Sequence, residues 1–279
     1  MKLNLTDQRQ KARLKTVSSV VLFTIIIAIL CFQFSLLNNA TPNNLNQLED
    51  DDGNKIIFIG IFSTADRFYR RNLIRSTYLN LEAPKVMYKF VLGKPATNKQ
   101  QLLLKFEQEK FNDLFILDIE ENMDNGKTFN YFKTLYNAYH PHQFKFVMKA
   151  DDDTFLHFPN LEKKFLSLPE YDVYFGRKVE HINGNGGGFI AGMGYALSWN
   201  LVEFIATKVE NNPKQEIIGQ EDFLVTTWLN NGKIYYKMIS EVNEFYDSPE
   251  SKKGWSKNYS PGTMLIHQLK DNEWFLNAC

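Results

Sequence analysis

Cysteine is almost absent. The 279 residues hold two, and the sequence places them at Cys31 and Cys279. Cys31 lies inside a long apolar run and Cys279 is the last residue, so the two are not expected to pair across a bilayer. The region between them is expected to fold without an internal disulfide and to depend on its hydrophobic core, unlike small secreted scaffolds. Cys279 leaves two readings open, a bridge between two copies in a homodimer or a terminal free thiol. An excess of one charge is also missing. Lys plus Arg number 32, Asp plus Glu number 32, and the formal net charge is +0. No basic face for a nucleic-acid partner is therefore expected. The GxSxG elbow, the HExxH zinc motif, a CxxC pair and the phosphate loop GxxxxGKS/T do not occur. No internal repeat or low-complexity linker is present.

What charge there is begins unevenly. Lys2, Arg9, Lys11, Arg13 and Lys15 crowd residues 1–15, and Thr16 to Leu37 then runs without a charged residue. A helix of that length spans about 33 Å, enough for a bilayer core. Asn38-Asn39-Ala40 imitates a cleavage site, but the run exceeds the apolar region of a cleaved leader. An uncleaved anchor is expected, with the basic flank cytoplasmic and all that follows Leu37 lumenal or extracellular. Residues 38–54 are Asn-rich and acidic, without apolar periodicity, and read as a stem. Residues 55–279 then form one domain of plausible size.

That domain alternates in pattern. Strands are expected at Ile56–Phe62, Val86–Leu92, Leu114–Leu117 and Phe144–Ala150. Helices are expected at Asp66–Leu79 with Asp66 as N-cap, at Asn98–Phe111 and at Lys127–Tyr139. The second of these helices is expected to gather Leu102, Leu103, Phe106 and Phe111 near one apolar face. After Asp153 the pattern loosens, with helices expected at Leu161–Leu168, Asn200–Glu210 and Glu221–Leu229. Short strands are expected at Val173–Phe175, Tyr235–Ile239 and Met264–Gln268. Alternation of this kind implies an α/β fold with a mostly parallel central sheet flanked by helices.

The most informative feature is Asp151-Asp152-Asp153 at the end of the alternating run Phe144–Ala150. Ligands of open α/β sheets bind at the carboxyl ends of strands. Three carboxylates there repel one another unless a cation holds them, and a divalent metal also carries substrate phosphates. A capping loop is the plainer reading, since Asp is common in turns. On the first helix, Arg71 and Arg75 share a face four residues apart. They either grip a phosphate or form a solvated basic face. Gly184 to Gly188 and Gly192-Met193-Gly194 offer close backbone approach to a ligand, or serve hairpins. Glu221-Asp222 opens a helix. One of the two acids caps it, and the other is free to take a proton from a hydroxyl. His267 is either a packed histidine or a further metal ligand.

Taken together these segments resemble the β-1,3-galactosyltransferase-like enzymes, glycosyltransferase family 31. Arg70-Arg71-x-x-Ile74-Arg75-x-Thr77-Tyr78 resembles RRxxIRxTW. Lys149-x-Asp151-Asp152-Asp153-x-Phe155 resembles KxDDDxF, Gly192-x-Gly194-Tyr195-x-x-Ser198 resembles GxGYxxS, and Glu221-Asp222-Phe223 resembles EDV. Gly126-Lys127-Thr128 through Thr134 is similar to the NLTLKT helix in altered, fungal-like form. Order and separation also match over most of Ile56 to Asp222. The resemblance implies a GT-A fold in a Golgi type II membrane enzyme. That enzyme would use Mn²⁺ and a UDP-sugar donor, and transfer a hexose with inversion to a glycan acceptor on glycoprotein or glycolipid. It implies that Asp153, Asp151 and His267 hold the metal, and that Asp222 is the base. Arg71, Arg75, Lys149, Asp151, Asp152, Gly192 and Gly194 would bind the donor. Galactose in β-1,3 linkage is the expected transfer, with N-acetylglucosamine the alternative. Tyr78 in place of Trp, and the missing lumenal cysteines, separate this chain from animal members and their acceptors.

Two rivals remain. A DxDxT phosphatase needs Thr four residues after its nucleophilic Asp, whereas Thr154 follows Asp151 by three. A membrane-anchored carbohydrate-binding protein without catalysis would have no use for Asp222.

Overall fold

A computed structural model describes residues 55–140, 143–180, 187–211 and 216–278. The expected tail, anchor and stem, Gly184 to Gly186 and Cys279 lie outside these residues. Among the described residues no helix is long and apolar enough to cross a membrane.

Strand β1 (Ile57–Phe62) reads IFIGIF and is buried throughout. Such a continuous apolar run suits a strand covered on both faces. Its side chains alternate between two cores. Ile57, Ile59 and Ile61 join Phe146 and Met148 on one face. Phe58 and Phe62 join Tyr131 and Val147 on the other. Gly60 is required by packing, because a Cβ there would stand 2.5 Å from the Tyr131 ring. Tyr131 in turn donates its hydroxyl to the Met148 carbonyl at 2.9 Å.

β1 leads into α1 (Phe68–Ser76), followed by β2 (Val86–Lys94), α2 (Asn98–Phe111), β3 (Leu114–Glu120), α3 (Lys127–Ala138) and β4 (Phe146–Asp151). Then come β5 (Phe155–Leu156), α4 (Phe158–Leu166), β6 (Val173–Glu180), β7 (Gly188–Ser198) and α5 (Trp199–Phe204). The chain closes with α6 (Glu221–Asn231), β8 (Lys237–Ser240), β9 (Phe245–Asp247), β10 (Leu265–His267) and α7 (Asn272–Asn277). The central sheet has seven strands in the order β3-β2-β1-β4-β7-β6-β8. β1 pairs in parallel with β2 and β4, and β2 with β3. β7 runs against both β4 and β6, while β6 and β8 are parallel. The mostly parallel α/β sheet expected from the alternation is therefore observed, with β7 as the reversed strand. A small second sheet has the order β5-β10-β9.

Several local expectations differ. Asp66 does not cap the first helix. It sits in a 3₁₀ turn (Ala65–Arg67), its carboxylate accepts from Gln100 Nε2 at 2.8 Å, and α1 begins at Phe68. The helix stops at Ser76 because Thr77 leaves helical geometry and turns its hydroxyl back to the Leu73 carbonyl at 2.8 Å. α2 has the expected bounds, fixed by a Thr97–Gln100 capping box. Its apolar face is not the expected one. Leu102, Leu103 and Phe106 are exposed, and the inward side carries Leu104 and Glu107. The reason is ionic, since Glu107 meets two arginines of α1. The helix expected over Asn200–Glu210 is α5 continued by a π turn, Ile205–Val209.

Candidate active site

The parallel strands β1 and β4 end side by side, with Phe62 opposite Asp151. The loop Ser63–Arg67 leaves one and the aspartates leave the other. The three aspartates do different things. Asp152 turns into the protein. Its Oδ2 accepts from Ser63 Oγ at 2.7 Å and its Oδ1 from Arg67 Nη1 at 2.8 Å. Burial raises its pKa, against the pull of the Ser63 hydrogen bond and Arg67. Asp152 therefore fastens the β1–α1 loop to the end of β4.

Asp151 and Asp153 face His267, and a ligand atom from each of the three lies within 4.8 Å of the others. Asp153 Oδ1 is buried without a hydrogen-bond partner, 3.8 Å from His267 Nε2. Asp151 Oδ1 has Lys149 Nζ at 2.9 Å as an ion-pair partner but without hydrogen-bond alignment. A buried carboxylate oxygen of Asp153 without a hydrogen-bond partner, the ion-paired carboxylate of Asp151 and an imidazole nitrogen form a donor set that fits a divalent cation. The small sheet explains the histidine's pose. β9 and β10 are parallel and in register, so His267 stands opposite Asp247. Buried Asp247 holds His267 Nδ1 at 2.9 Å through Oδ1, leaving Nε2 toward Asp153. A carboxylate behind a ligating histidine fixes its tautomer and ring plane. Asp247 was missed in the sequence because a three-residue strand has no readable period.

Lys149 joins the aspartates to α6. Its Nζ lies 2.6 Å from Glu221 Oε1 and donates to the Gly192 carbonyl at 2.8 Å. Burial would lower its pKa, but Asp151 and Glu221 outweigh that and raise it. Glu221 is buried and also accepts from Tyr195 Oη at 2.7 Å. Burial raises its pKa, and Lys149 opposes the rise. Glu221 is thus a fully engaged structural acid. Asp222 is the half-buried member of the pair. It accepts from the Gly192 amide at 3.1 Å and from the Phe223 amide at 2.8 Å. Gly192 is needed for this approach, because a Cβ there would stand 2.9 Å from Glu221 Oε1. Gly194 serves packing rather than ligand approach, since its Cβ would meet Leu265 at 2.4 Å.

A cleft of about 470 Å³ opens over this region, with Asp151, Asp152 and Asp153 along one side and Arg67, Lys127 and Lys270 among its walls. Lys127 Nζ donates to the Ser63 carbonyl at 2.8 Å and pairs with Glu121 at 2.6 Å. Burial lowers its pKa despite Glu121. The expectation that Arg71 and Arg75 reach the ligand is corrected here. Arg71 is fully buried and pairs with Glu107 at 2.7 Å. Arg75 pairs with Glu107 at 2.7 Å and Asp113 at 2.8 Å, and its guanidinium lies over the Phe111 ring. Their shared helical face looks inward at α2. Arg71 still touches Ser63 Oγ at 3.2 Å, supporting the loop from behind. The arginine in the cleft is Arg67, which precedes the helix and carried no periodic signal.

Residues 69–182 match the model of the galactosyltransferase family. The β-1,3-galactosyltransferase pvg3 of Schizosaccharomyces pombe is 28% identical, over 43% of this chain and 46% of that protein. The lactosylceramide 1,3-N-acetyl-β-D-glucosaminyltransferase of Xenopus tropicalis is 32% identical, over 48% of this chain and 38% of that protein. In both alignments less than half of the relative's length is spanned. Among solved structures, the apo-form glycosyltransferase GlyE of Streptococcus pneumoniae TIGR4 aligns over 81% of this chain and 60% of that chain. Its identity is 12% and its TM-score 0.48. The sequence matches are thus to glycosyltransferases, over part of this chain and part of each relative. The matched segment, less than half of the chain, is similar to family 31-like β-1,3-galactosyltransferases.

Proposed function

We propose that the chain transfers a hexose, galactose in β-1,3 linkage, from a UDP-sugar to a glycan acceptor with inversion. The observation that carries this reading is the cluster of Asp151, Asp153 and His267, whose two aspartates line a cleft with Arg67, Lys127, Lys270 and Glu121, while Asp222 accepts from the Gly192 amide. Asp151, Asp153 and His267 would hold Mn²⁺, which when bound supplies positive charge for a diphosphate leaving group. The protein's own side chains do the rest. Lys270 would bring positive charge to the wall where a diphosphate would lie, beside Arg67 and Lys127, which are paired with Asp152 and Glu121. Asp152 holds the Ser63–Arg67 loop in place, so Arg67 does not reorganise when the donor enters. Asp222 accepts the proton of the acceptor hydroxyl, a role typically worth about 10²–10⁴-fold in rate. The backbone amides of Gly192 and Phe223 orient its carboxylate for that task.

N-acetylglucosamine is the second donor reading, favoured by the similarity to the Xenopus N-acetylglucosaminyltransferase. We further propose that in the cell the chain is a single-pass type II protein of the Golgi membrane, anchored by Thr16–Leu37 with residues 55–279 lumenal, a reading supported by the sequence pattern and the family resemblance. The test is UDP release by the full chain in detergent, from UDP-galactose and UDP-N-acetylglucosamine, with Mn²⁺ and with chelator. Mn²⁺-dependent release from one of them is expected. A protein that binds carbohydrate yet turns over neither donor would be the inert rival instead.

A further inference from the structure

The approach to Asp222 is narrow. Glu221, the preceding residue, is buried and tied to Lys149 and Tyr195, and the Gly192 backbone covers Asp222 Oδ2. Phe223 follows Asp222 at the helix start. Its side chain is 44% exposed, while Leu224 and Val225 after it are buried. The Phe189 ring of β7 stands against it, edge to face, with centroids 6.3 Å apart and planes at 76°. Phe223 also lines a cleft of about 290 Å³ with Ile218, Gln220 and Thr227. That volume falls just below the range of ligand clefts, about 300–1,000 Å³, and Asp222 is not among its lining residues.

We propose that Phe223, braced by Phe189, is the platform for the terminal pyranose ring of the acceptor glycan. The proposal rests on Asp222 being the base. A base acts on a hydroxyl about 2.6–3.2 Å away, so the acceptor ring must lie against whatever surface adjoins Asp222. That surface is aromatic. A pyranose presents a face of C–H groups with slight positive charge, and the face of an aromatic ring is electronegative. The two faces match in both polarity and shape. The neighbouring Gln220 side chain supplies the amide donor and acceptor that hydroxyl groups at the ring's rim require. The edge-to-face contact with Phe189 restrains the Phe223 ring before the sugar arrives, which lowers the ordering cost of binding.

The test uses the full chain with Mn²⁺, the donor that supports UDP release, and methyl β-galactoside, methyl β-mannoside and methyl β-N-acetylglucosaminide as acceptors. Phe223→Leu keeps apolar bulk but removes the flat face. It should raise the acceptor KM by roughly three- to tenfold, with UDP affinity by calorimetry unchanged. Phe223→Tyr keeps the ring and should restore the acceptor KM. Phe189→Leu should give a smaller shift in the same direction and serves as the second variant if Phe223→Leu does not fold. An unchanged acceptor KM in both leucine variants overturns the platform. Wild type that hydrolyses donor but transfers to none of the three hexosides also overturns it, while leaving the transferase reading intact. Wild type that releases no UDP from either donor overturns that reading, and the platform with it.

Discussion

Removing the Asp247 carboxylate should weaken metal binding without touching a metal ligand. Asp247 Oδ1 and His267 Nδ1 are 2.9 Å apart, and Asp247 is buried. A hydrogen bond to a charged group contributes about 1.5–3 kcal/mol net. Loss of such an outer partner typically lowers metal affinity about 10–100-fold. At about 1.4 kcal/mol per tenfold, the two figures agree. Asp247→Ala should therefore raise the Kd for Mn²⁺ roughly 100-fold, because the imidazole loses the contact that fixes its tautomer and aims Nε2 at Asp153. Asp247→Asn keeps a neutral acceptor within reach and should cost nearer tenfold. Electron paramagnetic resonance of free Mn²⁺, with UDP present, reads the Kd directly. Thermal unfolding of the metal-free variants checks that the small sheet survives. A Kd for Asp247→Ala within about twofold of wild type, in a folded protein, would refute the account of how His267 is held.

Asp153→Asn should abolish Mn²⁺-dependent UDP binding by calorimetry and leave the metal-free melting temperature unchanged or higher, since Asp153 Oδ1 is buried without a hydrogen-bond partner. Retained UDP binding would sink the metal assignment. Asp222→Asn should lower turnover by about 10²-fold or more, with UDP binding and melting temperature near wild type. Activity within about threefold would shift the base role elsewhere. Glu107→Gln leaves Arg71 and Arg75 facing a neutral partner and should cost about 3–5 kcal/mol of stability at neutral pH. Burial raises the Glu107 pKa, but its hydrogen bonds to Arg71 and Arg75 outweigh this and lower it below the ordinary 4.5. Its contribution is thus complete above about pH 4.5 and fades as pH falls through the lower folded value, so urea titrations should show the gap between wild type and variant narrowing there. Protease added to sealed vesicles should spare residues 55–279, and their digestion would refute the expected type II topology.

The central sheet was legible because β1 and β4 are buried on both faces and their apolar runs end at turn residues. Helix Asn98–Phe111 was legible in extent through its turn signals, but not in facing. Periodicity treats a charge as outward, and here Glu107 faces inward because Arg71 and Arg75 answer it. The same exchange misled the reading of the arginines. Spacing places two side chains on one face without saying which way that face turns. Asp151 and Asp153 were legible from residue type and position, His267 was left open there and added by the resemblance, and the structure brings the three together. Asp247 and Arg67 were not found, because β9 spans three residues and Arg67 sits in a 3₁₀ turn. Both contribute through a single hydrogen bond to a distant partner, which no local pattern encodes.

The buried ionic cluster has a consequence for how such chains change. Arg71, Arg75, Glu107 and Asp113 carry two positive and two negative charges, and each is buried or nearly so. Any one replacement strands a charge in low dielectric, whereas joint replacement by apolar residues of similar volume is often neutral or better. Single substitutions here should therefore act as folding defects, whatever happens at Asp222. The paired-arginine segment is then a mark of scaffold ancestry. Its presence in a chain therefore reports on the scaffold, and the proposed chemistry is tested at Asp222 and the Asp247–His267 pair instead.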